Sequence, residues 1–149
     1  MDNTSDTLNY PWPSPPFPMA EFSKLNWKRN VEVFKQGDEK NEYWITAMVE
    51  ELGEIAGAVK KLKRGFNQRE LMKMVKEWEK QNIPEEQPST EYFYELWKAK
   101  KIKKIAEESA DLFGYFDLFC TKNEFNLWEA IKEKFNQVSD EMKAPEYKI

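Results

Sequence analysis

Histidine is missing from this sequence, and cysteine occurs once in 149 residues. Without histidine, a Ser-His-Asp triad, a Cys-His pair, the common zinc sites and the Glu-x-x-His di-iron bundle are all excluded. A lone cysteine closes no intrachain disulfide, which fits a reducing compartment. Cys120 lies in the apolar run DLFGYFDLFC and reads as core filler. No run of about 18 apolar residues is present to span a bilayer. The amino terminus is acidic and polar rather than basic then apolar, so a secretory signal is not expected and the cytoplasm is the expected location. An excess of positive charge is also lacking. The net charge of −4 argues against a general grip on nucleic-acid polymers or an anionic membrane. Any anionic substrate would need local cations to reconcile it with this chain.

What is present suits one globular domain. Charged residues make up 34% and aromatics 15%. A chain of this length buries roughly 70% of its extended surface. Residues 1–18, MDNTSDTLNYPWPSPPFP, hold five of the eight prolines and read as an extended arm, which Trp12 and Phe17 could pin against the body or a partner. Residues 19–149 read as all-α. A first helix is expected over 20–36, with Phe22, Leu25, Val31 and Phe34 as core positions. A second runs from Glu42 to Lys63 and stops at Gly65. A charged segment from Gln68 to Gln81 is expected as an added helix within an insertion at 66–100. After the loop NIPEEQPST, Ser89 or Thr90 caps a long helix reaching about Thr121. Asn126 and Glu129 are spaced to cap the last one. The expectation is a four-helix bundle with an inserted segment between its second and third main helices.

The chemistry lies in the acids. VEELGEIAGAVKK crowds Glu50, Glu51 and Glu54 beside an apolar stripe, where repulsion and desolvation both oppose them. On a helical wheel, Ile45, Met48, Leu52, Ile55, Val59 and Leu62 define a core direction 60–70° to one side of Glu51, by the ~100° advance per residue. Ala47 and Ala58 extend the Glu51–Glu54 line, leaving room beside it. In KKIAEESADLFGYFDLF, Glu108 and Asp111 flank a stripe of Ile105, Ser109, Leu112, Phe116 and Phe119 in the same sense, and Tyr115 continues their line. Packed antiparallel, the two helices could point four carboxylates into one cleft. Such a cluster must hold a proton or a cation. Oxygen-only ligands suit Mg²⁺, with Mn²⁺ possible, and Mg²⁺ commonly binds substrate phosphates.

Glu50-Glu51-x-x-Glu54, Glu108-x-x-Asp111 on a later helix and EKFNQVSDEM on the last together resemble the MazG-like all-α NTP pyrophosphatases, over roughly residues 27–142. Relatives in that superfamily include dimeric dUTPases, dCTP pyrophosphatases and phosphoribosyl-ATP pyrophosphohydrolases. The proline-rich arm and the 66–100 insertion have no counterpart in the minimal family pattern. The resemblance implies Mg²⁺-dependent cleavage of a nucleoside triphosphate between its α and β phosphates, in nucleotide-pool housecleaning. It implies metal ligands at Glu51, Glu54, Glu108 and Asp111, the same four that the wheel selects, and a homodimer or homotetramer. Glu50 is expected to support or orient water, and Glu54 to serve also as base. Lys134 matches the family's late basic position, although Asn136, Gln137 and Val138 stand where relatives often add another cation. Lys61 and Lys104 are further candidates for phosphate, and Tyr115 and Trp44 for the base. Two alternatives remain at this level: a non-catalytic interaction or regulatory module on the same bundle, and a hydrolase of guanosine polyphosphate alarmones.

Overall fold

The computed structural model describes residues 18–81 and 88–149, so Trp12, Phe17 and nearly all of the arm lie outside the described residues. The described chain is all-helical. Helix α1 spans Met19–Arg29 and continues as a π-helical turn, Asn30–Phe34, that Lys35 ends in a left-handed conformation (φ 59°). Then come α2 (Asn41–Arg64), α3 (Gln68–Gln81), α4 (Thr90–Lys122), α5 (Leu127–Glu141) and a 3-10 turn at Pro145–Tyr147.

The boundaries follow local chemistry. Gly65 closes α2 at φ +79°, a region side chains rarely adopt. The Ser89 hydroxyl accepts from Tyr92 N–H at 3.2 Å and starts α4. Asn126 Oδ1 accepts from the Trp128 and Glu129 amides at 2.9 and 3.3 Å and starts α5.

The architecture is organised on an α2–α4 hairpin. Asn41 meets Asn123 in reciprocal side-chain hydrogen bonds of 2.9 and 3.1 Å, Trp44 meets Tyr115, Glu54 meets Lys104, and Leu62 packs near Trp97. Rising numbers on one helix pair with falling numbers on the other, so the two are antiparallel. Helix α3 packs on the amino-terminal half of α4, where Met74, Phe93 and Trp97 form a small core with Leu62, Phe66 and Leu71. Helices α1 and α5 lie near the other end, joined by a buried polar network. Asp117, 1% exposed, accepts from Ser23 Oγ and from Asn26 Nδ2 (3.0 Å). Trp128 Nε1 donates to the same serine at 3.3 Å.

One expectation needs correcting. Only part of the stripe expected as the core of α2 is covered: Met48, Ile55 and Leu62 are half-buried, whereas Ile45 (47%), Leu52 (56%) and Val59 (46%) are exposed. What α4 covers is the adjacent line of Trp44, Ala47 and Ala58, all buried, along which Glu51 lies. Small alanines admit a helix backbone more closely than branched chains do. What approaches the line is therefore α4 itself. Leu25, Val31 and Phe34, expected in the core of the first helix, are likewise exposed.

Replacing Asp117 with alanine would take an acceptor from both Ser23 and Asn26, leaving them only the Met19 and Gly114 carbonyls at 3.3 and 3.0 Å. A loss of about 2–4 kcal/mol in urea unfolding is expected. A change under about 0.5 kcal/mol, the size typical of plain surface substitutions, would contradict the network's role.

Candidate metal centre

Helical spacing sets Glu51 on α2 opposite Glu108 and Asp111 on α4. One carboxylate oxygen from each lies within 4.8 Å of the other two. Glu108 is buried at 7% exposure, Glu51 is half-buried and Asp111 is exposed, so the group has a dry side and a wet side. Three of the four expected ligands are thus brought together by the hairpin. The fourth, Glu54, stands one turn away and outside this group. Its carboxylate meets Lys104 Nζ at 2.8 Å, and the same ammonium also holds Glu108.

The electrostatics show what crowding costs. Burial, then the Glu108 carboxylate as hydrogen-bond partner and as charge, pushes Glu51 from 4.5 up to about 7. Glu108 moves the other way, held low first by the Lys104 ammonium and then by the hydrogen bond from Glu51. Around neutral pH the pair therefore shares a proton that resides on Glu51, which donates to Glu108. Lys104 is correspondingly held in its charged form by the two carboxylates. A proton and an ammonium do here what a divalent cation could do instead. Three carboxylate donors with room on one side form a hard, oxygen-only set that fits Mg²⁺ or Mn²⁺.

Asp111 also borders a cavity of about 420 Å³ between α1, with its π-helical turn, and the carboxyl-terminal half of α4. Tyr115 lines it, with its hydroxyl pushed up first by burial. So does Asn30, which the sequence reading did not single out. Asn30 is 1% exposed, yet neither its Nδ2 nor its Oδ1 has a hydrogen-bond partner among the described residues. A buried amide with both functions unpaired is costly, about 1–3 kcal/mol per group. It sits at the start of the π-helical turn, a distortion that recurs at functional sites. Arg29 and Gln36 border the same space. Asn30 was legible only as an unexpected amide on a helix with apolar neighbours Trp27, Val31 and Phe34.

Other expected site residues lie elsewhere. Trp44 is wholly buried, edge-on to Tyr43 at 4.9 Å and 6.3 Å from Tyr115, so within one chain it is core rather than a stacking platform. Glu50 is exposed and lies outside the three-carboxylate group. Lys134 is exposed on α5, where its Nζ donates to Gln137 Oε1 at 3.1 Å, and it does not border the Asp111 cavity. Lys61 borders a different cavity at the far end of α2.

The shared proton predicts a pH dependence for metal-free protein. Because Glu51 binds its proton more tightly folded than unfolded, its contribution to stability is complete below pH 4.5 and is lost as pH rises to about 7. Glu108, shifted down, contributes in the opposite sense and only under more acid conditions. In EDTA, melting temperature is expected to fall across that window, and Glu51→Gln is expected to flatten the fall. Parallel curves for the two proteins would contradict the shared-proton geometry. No protein-family model, curated protein or solved structure matches this chain.

Proposed function

We propose that the chain is a MazG-like, Mg²⁺-dependent nucleoside triphosphate pyrophosphohydrolase. The observation that carries this reading is the meeting, at Asp111, of a three-carboxylate cluster with a cavity holding an unpaired buried amide. Metal and phosphates would occupy one side of Asp111 and the nucleoside the other. Glu51, Glu108 and Asp111 would hold the ion, with Glu54 joining once Lys104 releases it. When bound, Mg²⁺ would neutralise phosphate oxygens and fix the geometry for in-line displacement. Lys104, turning from carboxylates to phosphate, would add positive charge. Glu54 would accept a proton from the attacking water, with Glu50 orienting that water. The water oxygen forms a new P–O bond, the α–β bridging bond breaks, and a monophosphate and pyrophosphate leave. Asn30 offers one donor and one acceptor, which suits a base edge presenting an adjacent acceptor and donor, and Tyr115 offers an aromatic face. The same chemistry would accept a guanosine polyphosphate alarmone.

The assembly follows from the exposed stripe. Ile45, Val49, Leu52 and Val59 on α2, with Ile102 and Phe116 on α4, are core-type residues left exposed among the described residues. A second copy placing its own hairpin there would complete a four-helix arrangement, as a homodimer or as half of a homotetramer.

One observation favours a different reading. Lys104 already supplies a cation to Glu54 and Glu108, as expected of an ion network in a non-catalytic interaction module. Pyrophosphate release from a panel of standard, deoxy and modified triphosphates, with and without Mg²⁺, separates the two. The enzyme reading expects metal-dependent pyrophosphate. Asp111→Asn is expected to lower kcat/KM by more than about 100-fold, beyond the 10–100-fold typical of residues that only support a ligand. It should also abolish any Mg²⁺-induced rise in melting temperature. Asn30→Ala is expected to raise KM by about tenfold, equivalent to about 1.4 kcal/mol. Orthophosphate alone, or no turnover and no Mg²⁺ effect, would favour the module.

Assembly has its own measurement. Sedimentation should show at least a dimer, and Leu52→Lys should shift it to monomer. A wild-type monomer at all accessible concentrations would refute the four-helix arrangement.

A further inference from the structure

At the end of the hairpin remote from α1, where α2 passes through Gly65 into α3, there is a second cavity of about 310 Å³. Its wall is unlike the rest of this acidic protein. Lys61 and Arg64 come from the last turn of α2, Arg69 and Lys73 from α3, and Lys101 from α4. A single carboxylate, Glu70, stands among them, 3.9 Å from Lys73. Among the described residues, the other four cations have no carboxylate within ion-pair distance. Four unpaired cations around one small cavity repel one another, and an acidic chain with Glu and Asp to spare leaves them so.

Ordinary helix chemistry accounts for part of this wall only. Lys61 and Arg64 sit at a helix carboxyl end, where the macrodipole welcomes a cation. Arg69 sits in the first turn of α3, where the macrodipole opposes one. That end of α3 favours negative charge, and because Asn67 Oδ1 already caps the Arg69 and Glu70 amides (3.0 and 3.2 Å), a ligand would meet side chains there rather than those amides. Trp97 completes the wall, 4% exposed, with an indole Nε1 that has no acceptor among the described residues. Two guanidinium forks and three ammonium groups on three separate helices match a compact ligand with several phosphate oxygens.

We propose that this cavity is a binding site for a compact oligophosphate anion, held by Lys61, Arg64, Arg69, Lys73 and Lys101. The site is separate from the carboxylate cluster: Lys61 follows Glu51 by ten residues, about 15 Å along the helix axis. It therefore needs no metal and stands whether or not the chain hydrolyses nucleotides. A free oligophosphate and the tail of a nucleotide present the same oxygens to it.

The experiment is calorimetric titration of the full chain in EDTA with inorganic tripolyphosphate, sulfate, a non-hydrolysable nucleoside triphosphate and a single-stranded oligonucleotide. Tripolyphosphate is expected to bind at one site, about tenfold or more tighter than sulfate. Arg64→Gln with Arg69→Gln, two exposed positions, is expected to weaken it by about tenfold or more. Lys61→Ala with Lys101→Ala provides a second pair should the first disturb folding. Asp111→Asn, and a control removing two remote charges (Lys132→Ala with Lys143→Ala), are expected to leave binding within about twofold. A nucleoside triphosphate that binds as tripolyphosphate does, and loses as much in the arginine pair, supports a shared site for free and nucleotide-borne phosphate. Binding of the triphosphate that the arginine pair leaves intact assigns only the free anion here. Equal affinity for sulfate, equal loss in the remote control, no change in either cationic pair, or tighter binding of the oligonucleotide would each overturn the proposal.

Discussion

Close contact between α2 and α4 along a seam of small and acidic residues is the constraint from which the rest follows. Ala47 and Ala58 are buried there, and Glu51 and Glu108 are forced into each other's company. A seam built this way cannot be a plain hydrophobic one. It requires positive charge, supplied in this structure by Lys104 and a proton on Glu51. A divalent ion would meet the same need, and the exposed side of Asp111 offers the approach. Close packing and carboxylate repulsion are therefore set against each other at one place.

That seam also decides where the apolar surface goes. With the alanine and carboxylate line turned inward, the larger aliphatic residues of α2 must turn outward. A chain this rich in core-type residues leaves Leu52 and Val59 exposed for the same reason that it buries Glu108. The exposed stripe and the acidic cluster are two consequences of one rotation of α2 about its axis.

The hairpin has chemically distinct ends. Toward α1 lies the cavity of Asn30, Tyr115 and Asp111, whose shape depends on α1 being held by the Asp117 network. Toward α3 lies the cationic cavity, which exists because α3 brings Arg69 and Lys73 against the end of α2. Helix α3 thus builds a surface of its own rather than a neutral connection between α2 and α4.

Much of this was legible in the sequence. Capping residues and glycine fix helix ends through backbone hydrogen bonds that depend on nearest neighbours, so α2, α3, α4 and α5 fall close to where Gly65, Gln68, Ser89 and Asn126 put them. The angular match of Glu51 with Glu108 and Asp111 depends only on helical pitch, and it too was visible. Tertiary structure alone decided which stripe faced the partner helix, because a wheel gives directions and not the neighbour in each direction. It separated Glu54 from the cluster through a lysine fifty positions away, left the Asn30 amide buried without a partner among the described residues, and gathered five cations from three helices into one wall. Each of these is a contact between residues distant in sequence, which local periodicity cannot encode.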